Sequence, residues 1–221
     1  MGRSPQNTGH IMRLKSLFVV LVSAFIFTGC SSLDISEHRP TDIKTISKTD
    51  RSWQQHLSLL KQIKAYSAQG QIGYISSQER FSSRFEWQYQ NPQNYTLKLY
   101  STISTTSLEM QRHPSGMTIS DNKGNQRSEA DAKMLIREIV GMEVPLERLA
   151  TWLKGQPDEH ADYQVGENHY LAGFSYPIDG VVWTADYLVY HQDRTPALPR
   201  DILLKNNNQT LKIRVENWML P

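Results

Sequence analysis

One thiol and seven imidazoles are the side chains of this 221-residue sequence that chemistry would use first. The imidazoles do not cluster: His56, His113, His160, His169 and His191 are scattered, with no HExxH and no pair four apart, so no metal site is legible. There is no Gly-x-Ser-x-Gly elbow, no glycine-rich phosphate loop closing on Lys-Ser/Thr and no dinucleotide fingerprint. The sequence therefore points away from an enzyme and from any cofactor. The thiol stands in a more specific neighbourhood. Cys30 follows Thr28-Gly29 at the end of an apolar run, Leu17 to Phe27, which Arg13 and Lys15 precede. That is the pattern of a bacterial secretory leader. The run is about 11 residues, and crossing a hydrocarbon core takes roughly 20, so a transmembrane anchor is disfavoured.

Small residues immediately before the only cysteine resemble the lipobox of bacterial lipoproteins, in which the thiol takes a diacylglycerol and the leader is cut. Cys30 is thus the expected lipid-attachment site and first mature residue, with residues 1–29 as signal peptide and Met12 as an alternative start. Acyl chains at about 0.8 kcal/mol per buried CH₂ make such an anchor stable. Ser31 is not the aspartate of the inner-membrane retention rule, which suggests the outer membrane. Setting aside Arg3, Arg13 and Lys15 of the leader leaves 21 basic against 22 acidic side chains. A body so close to neutral shows no phosphate-binding excess, and nucleic acid is not an expected partner.

Residues 30–51 are polar and aperiodic, which predicts a lipidated N-terminus and flexible tether, and 52–221 then form a single domain. Trp53, Leu57, Leu60 and Ile63 predict an amphipathic helix over about 52–64, behind caps at Asp50 or Ser52. The period then becomes two. Phe81, Ser83, Phe85, Trp87 and Tyr89 share one face, and Asn91-Pro92 turns into Tyr95, Leu97 and Leu99. Similar alternation follows at Leu108–Met110, Met117–Ile119, Tyr170–Tyr176, Val181–Tyr190, Ile202–Leu204 and Leu211–Val215. Between these strands, Ser128 with Asp131 resembles a capping box for a helix ending at Gly141. A second short helix begins at Pro145 and carries Leu146, Leu149, Trp152 and Leu153 before Gly155. The expected fold class is mainly β with helices (α+β): a curled antiparallel sheet forming an incomplete barrel, its apolar face covered by short helices. Phe85, Trp87, Tyr95, Leu97, Trp152, Trp183 and Tyr187 are the candidate residues of an acyl-binding interior, although core packing alone also explains aromatic-rich strands.

Gly141-Met142 followed by Pro145-Leu146, Leu149, Trp152-Leu153, Gly155 and Pro157 is similar to the second-helix signature of the LolB family of Gram-negative outer-membrane lipoprotein receptors. Gly70 with Tyr74-Ile75-Ser76, Arg84-Phe85 with Trp87, Asp121 to Gly124 and Asn217-Trp218 extend the resemblance over roughly Trp53 to Trp218. It implies an open barrel of the LolA/LolB kind that takes the acyl chains of client lipoproteins from the periplasmic carrier LolA and releases them into the outer membrane without ATP. It also implies a lipid-anchored monomer facing the periplasm. Family members carry a protruding loop with an apolar tip that takes part in membrane insertion. Ile103, between Thr102 and Ser104, matches that tip, although Thr102 and Ser104 replace the Pro and Gly that would stiffen the turn. The basic residues Arg80, Arg84, Lys98, Lys212 and Arg214 are candidates to face an acidic carrier, and each reads equally as a solvated strand residue. The alternatives are a lipid-anchored scaffold without a cavity, a lipid-anchored hydrolase, and a soluble carrier like LolA, against which Cys30 argues.

Overall fold

The computed structural model describes residues 33–77, 80–101, 107–130 and 145–221. These belong to one compact unit, Leu33–Pro221. Cys30 with the leader, Ile103 with residues 102–106, and most of the helix expected to end at Gly141 lie outside the described residues. Among the described residues, no helix is long and apolar enough to cross a membrane.

Helix α1 spans Arg51–Gln62, and the Asp50 carboxylate caps it by accepting from the Trp53 amide at 2.9 Å. Its buried stripe is Trp53, His56, Leu57 and Leu60, spaced for one helical face. The strands in chain order are β1 Thr45–Ile46, β2 Tyr66–Ser76, β3 Arg80–Asn91, β4 Asn94–Ser101, β5 Ser107–His113 and β6 Gly116–Asp121. They continue with β7 Gln126–Glu129, β8 Asp162–Gly166, β9 Leu171–Ile178, β10 Val181–His191, β11 Leu198–Lys205 and β12 Gln209–Met219. Helix α2, Leu146–Trp152, precedes β8. All pairings are antiparallel, in the order β1-β8-β9-β10-β11-β12-β2-β3-β4-β5-β6-β7. The two edges, β1 and β7, do not pair with each other, so the sheet is open. Both edge strands are short, which limits pairing with other chains.

The expected strands are found, and β1, β2, β7 and β8 are added to them, β2 at the centre of the sheet. Its apolar alternation is broken by Gly70, whose missing side chain lets the chain close on its neighbour: a Cβ there would sit 1.9 Å from the Arg214 carbonyl, beside the bulge between Val215 and Asn217. Ser128 requires a correction. It lies in β7 opposite Thr118, with their hydroxyls 2.8 Å apart, so it does not cap a helix. A serine flanked by polar residues reads equally as a cap or as an edge-strand residue, and pairing with β6 decides.

The expected tether also differs in part. Leu33 and Ile35 are buried, and residues 33–39 lie across the outer face of the sheet. The row beneath them is Asp186–Leu203–Lys212–Gly73, paired across β10, β11, β12 and β2. Arg39 Nε donates to Asp186 Oδ1 at 2.6 Å, Lys205 Nζ to the Glu37 carbonyl at 2.8 Å, and Lys212 pairs with Glu37 at 3.1 Å. Leu203 points outward by alternation yet is fully buried, in the row where the Leu33 Cβ lies beside Gly73.

Candidate functional site

The inner face of the sheet is built in rows of directly paired residues. One row runs Trp218–Ala68–Trp87–Leu97–Met110–Ile119, and the next runs Val215–Gly70–Phe85–Leu99–Leu108. Directly opposed residues share a face, so each row is a continuous apolar band. Over these bands lies α2, whose Leu146, Leu149, Ala150 and Trp152 are buried. Pro145 precedes its first turn, and Gly155, at φ +75, turns the chain after it.

Two phenols fasten α2 to the sheet. The Tyr66 hydroxyl donates to the Ala150 carbonyl at 2.8 Å, and the Tyr187 hydroxyl donates to the Trp152 carbonyl at 2.6 Å. Burial holds both phenols far above the ordinary tyrosine range, so they remain donors. Just beyond α2, buried Lys154 donates to the Leu60 and Ile63 carbonyls at 3.3 and 2.8 Å, tying α2 to the end of α1. Burial pushes its ammonium down to about 8, with Lys64 adding to the effect.

Between α2 and the sheet is a cavity whose walls, among the described residues, are apolar side chains. Phe85, Trp87, Leu97 and Leu99 form one wall, and Ile72, Leu211 and Ile213 form the floor. Leu146, Leu149 and Leu153 form the roof. The cavity is about 20 Å³, room for roughly one water and far less than the few hundred Å³ of a ligand pocket.

Of the candidate interior residues, Phe85, Trp87 and Leu97 line this cavity. Tyr95, Trp152, Trp183 and Tyr187 are buried but lie outside its described walls. Their polar atoms and partners explain the difference. Tyr187 is spent on α2, Trp152 Nε1 donates to Asp158 at 2.6 Å, and the Trp152 ring packs on Phe174 and Trp183. Tyr95 belongs to the next row, where it stacks with Tyr89. The lining residues not among those candidates are Ile72 of β2, which had no strand signal, Leu99, Leu211 and Ile213, whose alternation was visible but whose direction was not, and Leu146, Leu149 and Leu153, which were expected only as the covering helix.

The outward basic residues are all matched. Arg80 and Lys212 face Glu37, Arg84 pairs with Glu216 at 2.8 Å, Lys98 with Glu109 at 2.8 Å, and Arg214 with Asp201 at 2.8 Å. Each of these side chains has a nearby acidic partner on the chain itself. Three of the histidines are likewise placed structurally: His191 bonds the Val215 carbonyl, His169 the capping Asp50, and His56 is buried against Tyr170. Among the described residues, no group of three or more metal-ligating side chains comes together.

An open antiparallel sheet holding an apolar space beneath a helix defines a class. A solved LolA superfamily protein from Nitrosomonas europaea shares this fold, with a TM-score of 0.50 over 76% of this chain and 93% of that one, at 10% identity. Sequence then narrows the class. Residues 64–218 match the family described as "Outer membrane lipoprotein LolB". The outer-membrane lipoprotein LolB of Mannheimia succiniciproducens is 74% identical over 205 residues, covering 93% of this chain and 98% of the relative. That of Haemophilus influenzae strain Rd is 58% identical over 210 residues, covering 94% and 98%. The chain belongs to the LolB family of outer-membrane lipoproteins, whose work is lipoprotein localisation.

Proposed function

We propose that this protein receives lipoproteins from a periplasmic carrier of the LolA kind, holds their acyl chains between α2 and the inner face of the sheet, and releases them into the outer membrane without ATP. The observation that carries the reading is the cavity wall, to which the described residues contribute ten side chains with no polar residue among them. An acyl chain in water costs about 0.8 kcal/mol per CH₂, so chains must pass from one apolar site to the next in direct contact. Each 1.4 kcal/mol of advantage in the receptor's site over the carrier's shifts that exchange about tenfold, so direction needs no nucleotide.

At 20 Å³ the cavity does not accommodate an acyl chain as it stands, so its roof must yield. Leu146, Leu149 and Leu153 make that roof, and Tyr66 and Tyr187 hold the helix to the sheet, which makes α2 the moving part. In this reading Cys30 carries the lipid that keeps the monomeric domain at the membrane, and Ile103 enters the bilayer at release. The test mixes the chain from Ser31 onward, unlipidated, with LolA loaded with fluorescently labelled lipoprotein and follows the label. Movement to the receptor supports the proposal, whereas a folded receptor that takes up nothing sends the function to a scaffold without a cavity.

A further inference from the structure

The row below the apolar bands is not apolar throughout. It runs Tyr66–Tyr89–Tyr95–Arg112–Met117 across β2 to β6. Arg112 shares the inner face with its direct neighbours Tyr95 and Met117, both buried, and with Met110 two residues before it. Its Nε and Nη1 are buried and have no hydrogen-bond partner, and no ion pair to it is found among the described residues. The neighbouring row adds the Trp87 indole nitrogen, also buried and unpartnered, on a side chain that lines the cavity. Unmet donors of this kind are costly in a folded interior, and a guanidinium offers donors only. Their natural complement is a ligand that brings oxygen acceptors into an apolar space.

We propose that Arg112 binds the carbonyl oxygens at the root of a client's acyl chains, the esters and amide of an acylated cysteine. This rests on the acyl-binding reading above and gives it a direction. Arg112 stands near the end of β5, about 17 Å along the strand from Ser107, where residues 102–106 join β4 to β5. The residue is half-buried and adjoins the exposed Pro114-Ser115 turn, so a polypeptide attached to the root can leave to solvent. The chains then run from Arg112 past Trp87, Leu97 and Met110 toward Leu99 and Leu108, with their methyl ends at the Ser107 end of β5.

The experiment compares wild type with Arg112→Met in binding three probes: a synthetic tripalmitoylated peptide, palmitic acid and an alkyl-pyrene hydrocarbon of similar length. The Met variant should weaken the lipopeptide about tenfold, or 1.4 kcal/mol, and leave the hydrocarbon unchanged. Its melting temperature should equal or exceed that of wild type, since no partnered charge is lost. Equal weakening of lipopeptide and hydrocarbon overturns the inference, because the effect is then packing. Weakening of palmitate alone also overturns it, assigning the arginine to free fatty anions. If wild type binds the probes and the variant matches it, this inference fails while the cavity stands; if wild type binds none of them, both fail.

Discussion

Loosening α2 should make the protein a better binder of apolar ligands while making it less stable, and the structure sets different sizes for its two fasteners. Tyr187→Phe keeps the ring against Phe174 and Tyr190 and removes only the hydroxyl. The Trp152 carbonyl it leaves still accepts from the Gly155 amide at 2.9 Å, so the loss should be about 1 kcal/mol, the net worth of an ordinary hydrogen bond. Tyr66→Phe is costlier. The Lys154 amide, which a continuing helix would aim at Ala150, bonds Thr151 instead, and Tyr66 supplies the bond to the Ala150 carbonyl. Stranding that acceptor should cost about 2 kcal/mol. If uptake requires the detached helix and that state is a minor one, apparent affinity scales with its population. Tyr187→Phe should then tighten an apolar dye about 5-fold and Tyr66→Phe roughly 30-fold, the factors that 1 and 2 kcal/mol represent. Fluorescence titration with the dye, paired with urea unfolding of each variant, checks both halves. Lower stability with unchanged or weaker dye affinity in both variants would refute α2 as the moving part.

Three further outcomes follow from other parts of the molecule. Burial holds His56 down at about 4, against about 6.5 in an unfolded chain, so between those values the unfolded state takes the proton and the native state does not. Stability should therefore be full above pH 6.5 and fall by about 2 kcal/mol by pH 5, and His56→Leu should flatten that slope in urea titrations; an unchanged slope would clear His56. Arg39→Ala strands the Asp186 carboxylate, 1% exposed and already raised by its burial, so it should cost about 1–2 kcal/mol and open residues 33–39 to protease. Adding Asp186→Ala should recover most of that loss, and no recovery would mean the loss comes from Arg39's own packing on the sheet and not from the stranded carboxylate. Ile103→Glu should leave the melting temperature intact and slow release of lipoprotein to liposomes several-fold, and release at the wild-type rate would take the loop out of the mechanism.

Much of this protein is legible along the chain because its signals are local. Strict alternation from Phe81 to Tyr89 and from Tyr95 to Leu99 fixes two strands, since a period of two has no other physical reading at that length. The Asp50 cap and the stripe from Trp53 to Leu60 locate α1 to within a residue or two, and Pro145 and Gly155 bracket α2. Near-neutral charge, and the resemblance carried by Gly141-Met142, Pro145-Leu146 and Trp152-Leu153, reach the family. What tertiary structure alone decided depends on residues far apart in sequence. β2 is a strand because its backbone fits between β12 and β3, and Gly70 makes that fit possible without leaving an apolar pattern. Ser128 is a strand residue because β6 offers it a ladder. Leu33 and Ile35 look like stray apolar residues in a tether until the outer row of the sheet buries them. The division of the aromatics also waits for the fold, because an inward ring can wall a space or, like Tyr187, spend its hydroxyl on a helix carbonyl. Periodicity tells which side of a strand a residue faces relative to its neighbours; only the packed sheet tells what stands opposite.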